Sequence, residues 1–316
     1  MRAGAVLFAG TLLLSLAGRR RTAFAEDEPV HAEAKEPFVF SADRSKAASL
    51  DPVAPPTLPS LTHSDASLEF NYTGAGIGQG ELGSAFTWMA QFTSEVPLTT
   101  RAWHAGAAWD LVSAAAAGRG RALLYGNPEV WVRGVGWHES GLSAGGGLGV
   151  IVPLPRDLTD DSEAVLEVIR VIRPWDSGYF ESETLTLRPV IDARLVLEPF
   201  MLQLRQGLDW SYAFDRARSD IIARTGTYVG VEPIGGLALG LELWQTYSIT
   251  ADVDDDERAA FTLSPSIRAK LFPLEPGISL LFPVSTPLEG IATEYLAVRV
   301  HVRLALEEMA AVPYDP

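Results

Sequence analysis

The sequence predicts an all-β protein, a transmembrane antiparallel up-and-down β-barrel of about twelve strands with an N-terminal signal peptide and a periplasmic linker. Three observations lead there. Hydrophobic residues make up 47% of the chain, yet from residue 67 onward no window is apolar for long enough to be a membrane-spanning helix. The apolar residues instead recur at every second position in segments of about ten, the period of a strand and the length that a tilted strand needs to cross a bilayer. The connections between segments are short on one side and long on the other, as in outer-membrane barrels.

The first residues read as a targeting segment. Arg2 is the positive start, Ala5 to Leu16 an apolar run, and Ala23-Phe24-Ala25 a small-x-small cleavage signal before Glu26. Arg19, Arg20 and Arg21 are unusual between such a run and its cut; the alternative is a short N-terminal anchor, against which the run falls well short of the ~20 residues of a span. Residues 1–25 are therefore set apart as signal peptide and 26–66, rich in Ala, Pro, Glu and Asp, as a flexible periplasmic linker. Residues 67–306 form the barrel and 307–316 a C-terminal tail. Loss of four arginines and no acid with residues 1–25 takes the formal charge from −15 to −19, which argues against a nucleic-acid partner. With no cysteine, disulfides, thiolate metal sites and cysteine nucleophiles are excluded.

Alternation is clearest at the end, where Leu296, Val298, Val300, Val302, Leu304 and Leu306 interleave with Tyr295, Ala297, Arg299, His301, Arg303 and Ala305. Leu185, Leu187, Ile191 and Leu195 alternate in the same way with Thr186, Arg188, Asp192 and Arg194. Phe200, Leu202, Leu204, Leu208 and Trp210 do so with Gln203, Arg205, Asp209 and Ser211, and Phe261, Leu263, Ile267 and Leu271 with Thr262, Ser264, Arg268 and Lys270. The strands are placed at 67–77, 84–94, 102–112, 127–137, 142–152, 185–195, 199–212, 219–231, 236–249, 260–272, 277–286 and 294–306. A soluble sandwich also alternates, and loop lengths separate the two. With the N-terminus periplasmic, the turns 95–101, 138–141, 196–198, 232–235 and 273–276 are all periplasmic and short, while 113–126, 153–184 and the acidic 250–259 are longer and external. Pro189, Pro265 and Pro283 fall inside strands and mark bulges or frayed ends. Trp88, Phe92, Trp103, Trp109, Trp210, Phe272 and Phe282 are candidates for interfacial aromatic girdles.

The run Gly126-Asn-Pro-Glu-Val-Trp-Val-Arg-Gly-Val-Gly136, followed by Gly141-Leu-Ser-Ala-Gly-Gly-Gly-Leu-Gly-Val-Ile-Val-Pro-Leu-Pro155, resembles a hairpin of uncharacterised proteobacterial outer-membrane transporter-like, porin-like barrels. Thr186 to Arg194 and Gln203 to Asp209 are similar to that group as well, so the resemblance covers the middle third of the chain. It implies a bacterial outer-membrane location, lipid and lipopolysaccharide as surroundings, and small-molecule solutes as cargo. Such barrels end on an aromatic residue, whereas this chain runs on through Glu307 to Pro316.

Charge is too costly on a lipid face, roughly 2–4 kcal/mol for an Arg or Lys at midplane, so the polar parity must face the lumen. That places Arg133, Arg188, Arg194, Arg205, Arg224, Arg268, Lys270, Arg299 and Arg303 inside, with His301, and the acids Glu69, Asp110, Glu129, Asp192, Asp209 and Glu242 beside them. Nine cations against six acids make a lumen suited to anions, with these residues as the selectivity lining. A twelve-strand barrel lies between barrels filled by side chains and open porins, so the charges could equally pair and close it. Segment 153–184 is long enough to fold inward as a constriction or to cover the barrel as an external lid, with a short helix over Ser162 to Ile172.

Catalysis has little to stand on. The histidines His31, His63, His104, His138 and His301 lack metal-ligand spacing, and no Ser–His pair of the outer-membrane phospholipase type can be located. The glycine-rich stretches at 74–80 and 145–149 lack the strand, loop and helix context of a phosphate loop. The expectation is a channel or transporter for small, anionic or amphipathic solutes, without cofactor or metal. The alternatives are a plugged barrel that engages a periplasmic partner through its linker or loops and, least favoured, an outer-membrane lipid-modifying enzyme.

Overall fold

The computed structural model describes residues 66–78, 85–98, 103–116, 121–139, 141–155, 162, 165, 166, 169, 172–234, 236–250, 258–271, 273–285 and 294–306. The expected signal peptide, nearly all of the expected linker with His31 and His63, Phe272 and the expected tail lie outside these residues.

Among the described residues the strands are β1 (Ser67–Gly78), β2 (Ala85–Pro97), β3 (Trp103–Ala116), β4 (Arg121–Tyr125), β5 (Glu129–Glu139), β6 (Leu142–Ile151), β7 (Thr184–Leu197), β8 (Phe200–Ala213), β9 (Arg218–Ile234), β10 (Leu237–Ser248), β11 (Ala259–Ala269), β12 (Leu274–Ser285) and β13 (Glu294–Ala305). Each pairs antiparallel with its neighbours, and β1 pairs with both β2 and β13, from Ser67↔Ala305 to Gly78↔Glu294. With the β2–β3 pairing the sheet has no free edge, so it is a closed barrel. The backbone of a membrane strand has no water to bond to, and closure is what satisfies it.

Thirteen strands occupy twelve positions because the fourth is broken. β3 pairs with β4 over Leu111–Ala115 and with β5 over Trp103–Ala108. Gly126, Asn127 and Pro128 interrupt the strand between them; Pro128 has no N–H to give to a ladder. The expected long loop 113–126 is therefore a hairpin, with β3 running to Ala116 and β4 returning from Arg121. The expected turn at 273–276 also shifts: an isolated bridge Leu271↔Leu274 closes a tighter one, and Glu275 and Pro276 lie inside β12.

The in-strand prolines mark irregular pairing. β7–β8 pairing skips between Leu187↔Trp210 and Val190↔Gly207, around Pro189. β11–β12 pairing skips from Leu263↔Phe282 to Ser266↔Ser279, around Pro265, and shifts register next to Thr262↔Pro283. Turns on the side of β1's start and β13's end are short: 98–102, 140–141, 198–199, 235–236 and 270–273. Gly141 and Gly236 take φ values of 80° and 82° there, a backbone region that side chains disfavour.

Burial follows the expected parity. Leu202, Leu208 and Trp210 are exposed while Met201, Gln203, Arg205, Asp209 and Ser211 are buried, and Leu239, Leu241 and Leu243 are exposed while Ala238, Glu242, Trp244 and Thr246 are buried. This is a fold turned inside out, with aliphatic and aromatic side chains outermost and charge within. Of the expected girdle residues, Phe92, Trp103, Trp109, Trp210 and Phe282 are exposed and Trp88 half-exposed. Phe92 and Trp109, however, are paired across β2 and β3 in mid-strand, not at its end, and Phe70 packs on Phe92 with ring centroids 5.2 Å apart.

Leu241→Arg puts a charge on this outer face in mid-strand. It is expected to lower the unfolding free energy in lipid vesicles by about 2–4 kcal/mol, as read by urea titration.

Candidate functional site: the barrel lumen and its inward-folded segment

Twelve of the thirteen expected lining residues are buried: Arg133, Arg188, Arg194, Arg205, Arg224, Arg268, Arg299, His301, Arg303, Asp192, Asp209 and Glu242. Lys270 is half-buried just beyond the end of β11. Buried charge has to be compensated, and four groups that the sequence reading left out take part: Glu95, Arg173, Asp176 and Glu275 are all buried. Among the described residues nine buried arginines thus meet eight buried acids, a smaller excess of cations than the nine over six expected.

The pairs fall into four sets. Near the middle of the wall Arg188 donates to Glu129 and Asp209, each at 3.1 Å, and Asp209 also receives Arg224 at 2.7 Å. Arg205 donates to Asp192 at 2.6 Å, and Gln203 to the same carboxylate. Arg133 Nε donates to Glu95 at 2.6 Å, joined by the Trp131 indole at 3.2 Å. Towards the end where the short turns lie, Arg268 and Arg303 converge on Glu275, and Arg303 and His301 face Glu69. His104 is buried on β3 in register with Arg133.

The connection between β6 and β7 enters the lumen. Ser162, Val165, Leu166, Ile169 and Ile172 are helical, within the stretch where a helix was expected. Val165 and Ile169, four residues apart on one helical face, are almost fully buried against Met89, Val112, Ala114, Leu124 and Ile151 of the wall. Arg173 N bonds Ile169 O at 2.8 Å, and a 3-10 turn over Pro174–Tyr179 follows. The segment is therefore an inward constriction and not an external lid.

Its tip is held by polar contacts as well as packing. Arg173, fully buried, pairs with Asp176 and reaches Gln91 at 3.3 Å. Trp175 stacks on Trp244 of β10 at 5.3 Å between ring centroids, and its carbonyl accepts from Arg188 at 3.0 Å. Tyr179 donates to Glu129 and lies under the Arg188 guanidinium, 5.0 Å from its ring centroid. Burial, and next the Glu129 carboxylate, push the Tyr179 hydroxyl well above its usual range, so it stays a neutral donor.

The strand break clamps the base of this segment. Asn127 N donates to Tyr179 O at 2.5 Å, its Nδ2 to Glu181 O at 2.8 Å, and its Oδ1 accepts from Leu154 N at 2.9 Å. A regular strand would have spent the Asn127 N–H on its ladder. The Gly-Asn-Pro motif thus trades three residues of β-pairing for a hold on the segment.

No protein-family model and no curated protein matches the chain. Among solved structures the barrel is similar to an outer membrane channel from Pseudomonas putida F1, with TM-score 0.56 and 10% identity over 81% of this chain and 99% of that one. It also matches the NanC porin (TM-score 0.48, 11% identity, 76% of this chain and 100% of that one) and the KdgM porin (0.46, 10%, 76% and 98%). The first of these likenesses shows the fold, that of a bacterial outer-membrane barrel, in keeping with the porin-like resemblance of the sequence and with an outer-membrane location.

Arg188→Ala removes a partner from both Glu129 and Asp209 and from the Trp175 carbonyl. A loss of about 3–5 kcal/mol in urea unfolding is expected, together with chymotrypsin cleavage after Trp175, which is shielded in the parent chain.

Proposed function

We propose that this barrel is an outer-membrane channel for small solutes, with a preference for anions, in which the segment between β6 and β7 sets the width of the pore. The observation that carries this reading is the coexistence of a charged interior running along the wall with a segment folded into it from the end opposite the short turns. A barrel that served only as a scaffold would be more stable with an apolar filling, because buried ion pairs rarely repay their desolvation. Charged walls are the device by which pores favour one sign of ion. The similarity in fold to an outer membrane channel supports the same role here.

The Arg-rich lining (Arg133, Arg188, Arg194, Arg205, Arg224, Arg268, Arg299, Arg303, with Lys270 and His301) is proposed to select solutes, and Asp192, Asp209 and Glu242 to temper it. The protein is read as a transporter and not as an enzyme. A closed structural barrel is the second reading, favoured by the close packing of Val165, Ile169, Trp175 and Tyr179.

Planar-bilayer conductance of the purified chain separates the two. The parent protein is expected to give small, anion-selective steps. Replacement of residues 162–183 by a short Gly-Ser linker is expected to raise conductance several-fold, since Ile151 and Thr186 are paired on adjacent strands and need only a short connection. Silence of both forms in a folded, heat-modifiable barrel would favour the closed reading.

A further inference from the structure

Almost every buried arginine described above has an acid against it; Arg299 does not. It is fully buried at mid-height on β13, and none of its three guanidinium nitrogens has a hydrogen-bond partner among the described residues. In register with it are Thr73 of β1 on one side and Ser279 of β12 on the other, both buried with unpartnered hydroxyls. Ser264 of β11, in register with Glu242 of β10, is in the same condition. Among the charges close enough to act on Arg299 are Glu242 of β10 and the Arg173–Asp176 pair at the tip of the inward segment. That pair is internally balanced, which leaves Arg299 facing Glu242.

Arg299 and Glu242 feel each other without touching. One oxygen of Glu242 accepts from the Trp244 indole at 3.1 Å; the other, Oε1, is buried and unpartnered. A small void of about 10 Å³, room for one water, adjoins Glu242 and is bounded also by Gln203, Arg205 and Trp244 but not by Arg299. A forked cationic donor and a single open carboxylate acceptor, held apart with hydroxyls between, are complementary to a molecule with a carboxylate at one end and a hydrogen-bond donor near it.

We infer that Arg299, Glu242 and the hydroxyls of Thr73, Ser264 and Ser279 form a solute-binding site for small carboxylates that carry a neighbouring hydroxyl or ammonium group, the class of hydroxy acids and amino acids. The carboxylate lies on Arg299 and the donor on Glu242 Oε1. The site deepens the channel reading and rests on it for its purpose, as the point where a permeating solute pauses below the inward segment. Its existence as a binding site can be tested without conduction.

Calorimetric titration of the full chain in detergent micelles with propionate, lactate and alanine is the test, since the three differ chiefly in the group beside the carboxylate. Lactate or alanine is expected to bind more tightly than propionate, and whichever is tighter identifies the donor that Glu242 takes. Arg299→Gln is expected to weaken binding of all three by about tenfold or more. Glu242→Gln is expected to abolish the advantage over propionate while keeping carboxylate binding. If Arg299→Gln does not fold, Thr73→Val, which leaves the charge in place, is expected to weaken carboxylate binding by a smaller factor. Equal binding of the three solutes, the absence of saturable binding, or indifference to Arg299→Gln overturns the site. A conducting barrel without saturable binding overturns the site alone; a silent barrel that binds lactate or alanine retains the site and overturns the channel.

Discussion

Hydrocarbon solvates neither a peptide group nor a charge, and the rest of this structure follows from that constraint. Backbone groups must find partners within the sheet, so β1 closes on β13 and no edge remains. Side chains with charge must turn inward, so a chain of net charge −15 presents Leu241, Trp210 and Val229 to its surroundings and keeps nine arginines inside. Once inside, those arginines need acids, and Glu95, Glu129, Asp192, Asp209 and Glu275 supply them from other strands. Ion pairs along the inner wall thereby tie together strands that are not direct neighbours, as Arg133 of β5 and Glu95 of β2 do over 38 positions and across β3.

The same demand anchors the inward segment. Its carbonyls at Trp175, Tyr179 and Glu181 meet Arg188, the Asn127 backbone and the Asn127 side chain. Its apolar residues meet a part of the wall where the inward parity is apolar, at Met89, Val112, Ala114 and Leu124. Wall and segment are therefore complementary in two registers, apolar above and charged below. Release of the segment costs both packing and pairing.

Much of this was legible in the sequence because strand parity is a strict period. In β13 the alternation of Val298, Val300 and Val302 with Arg299, His301 and Arg303 fixes which face each residue takes, and in β8 the same holds for Leu202 to Ser211. What was missed lay where the period stopped being visible. Glu95 shares the inward parity of Gln91 and Thr93 but lies beyond the expected end of its strand. Glu275 precedes Pro276 and read as a turn residue, since proline is rare within a ladder. The break at Asn127 looks in the sequence like a strand start, because nothing local shows that its side chain is used by residues some fifty positions away. Arg173 and Asp176 sit in a connection without periodicity, and only the folded barrel brings them against Met89 and Gln91.

The inward placement of the β6–β7 segment is the claim on which the pore, the constriction and the site below it all depend. A Cβ at Gly178 would stand 3.7 Å from Thr186 Oγ1 and 3.9 Å from its Cγ2, which brings thiols at the two positions within reach of each other, and the chain has no native cysteine to compete. The most direct measurement is disulfide formation in a Gly178→Cys, Thr186→Cys double variant in intact outer membranes under mild oxidation, read as a mobility shift reversed by reductant. Near-complete crosslinking is the expected result. A folded, heat-modifiable barrel whose two thiols stay free and react with a water-soluble maleimide would contradict the inward placement of the segment.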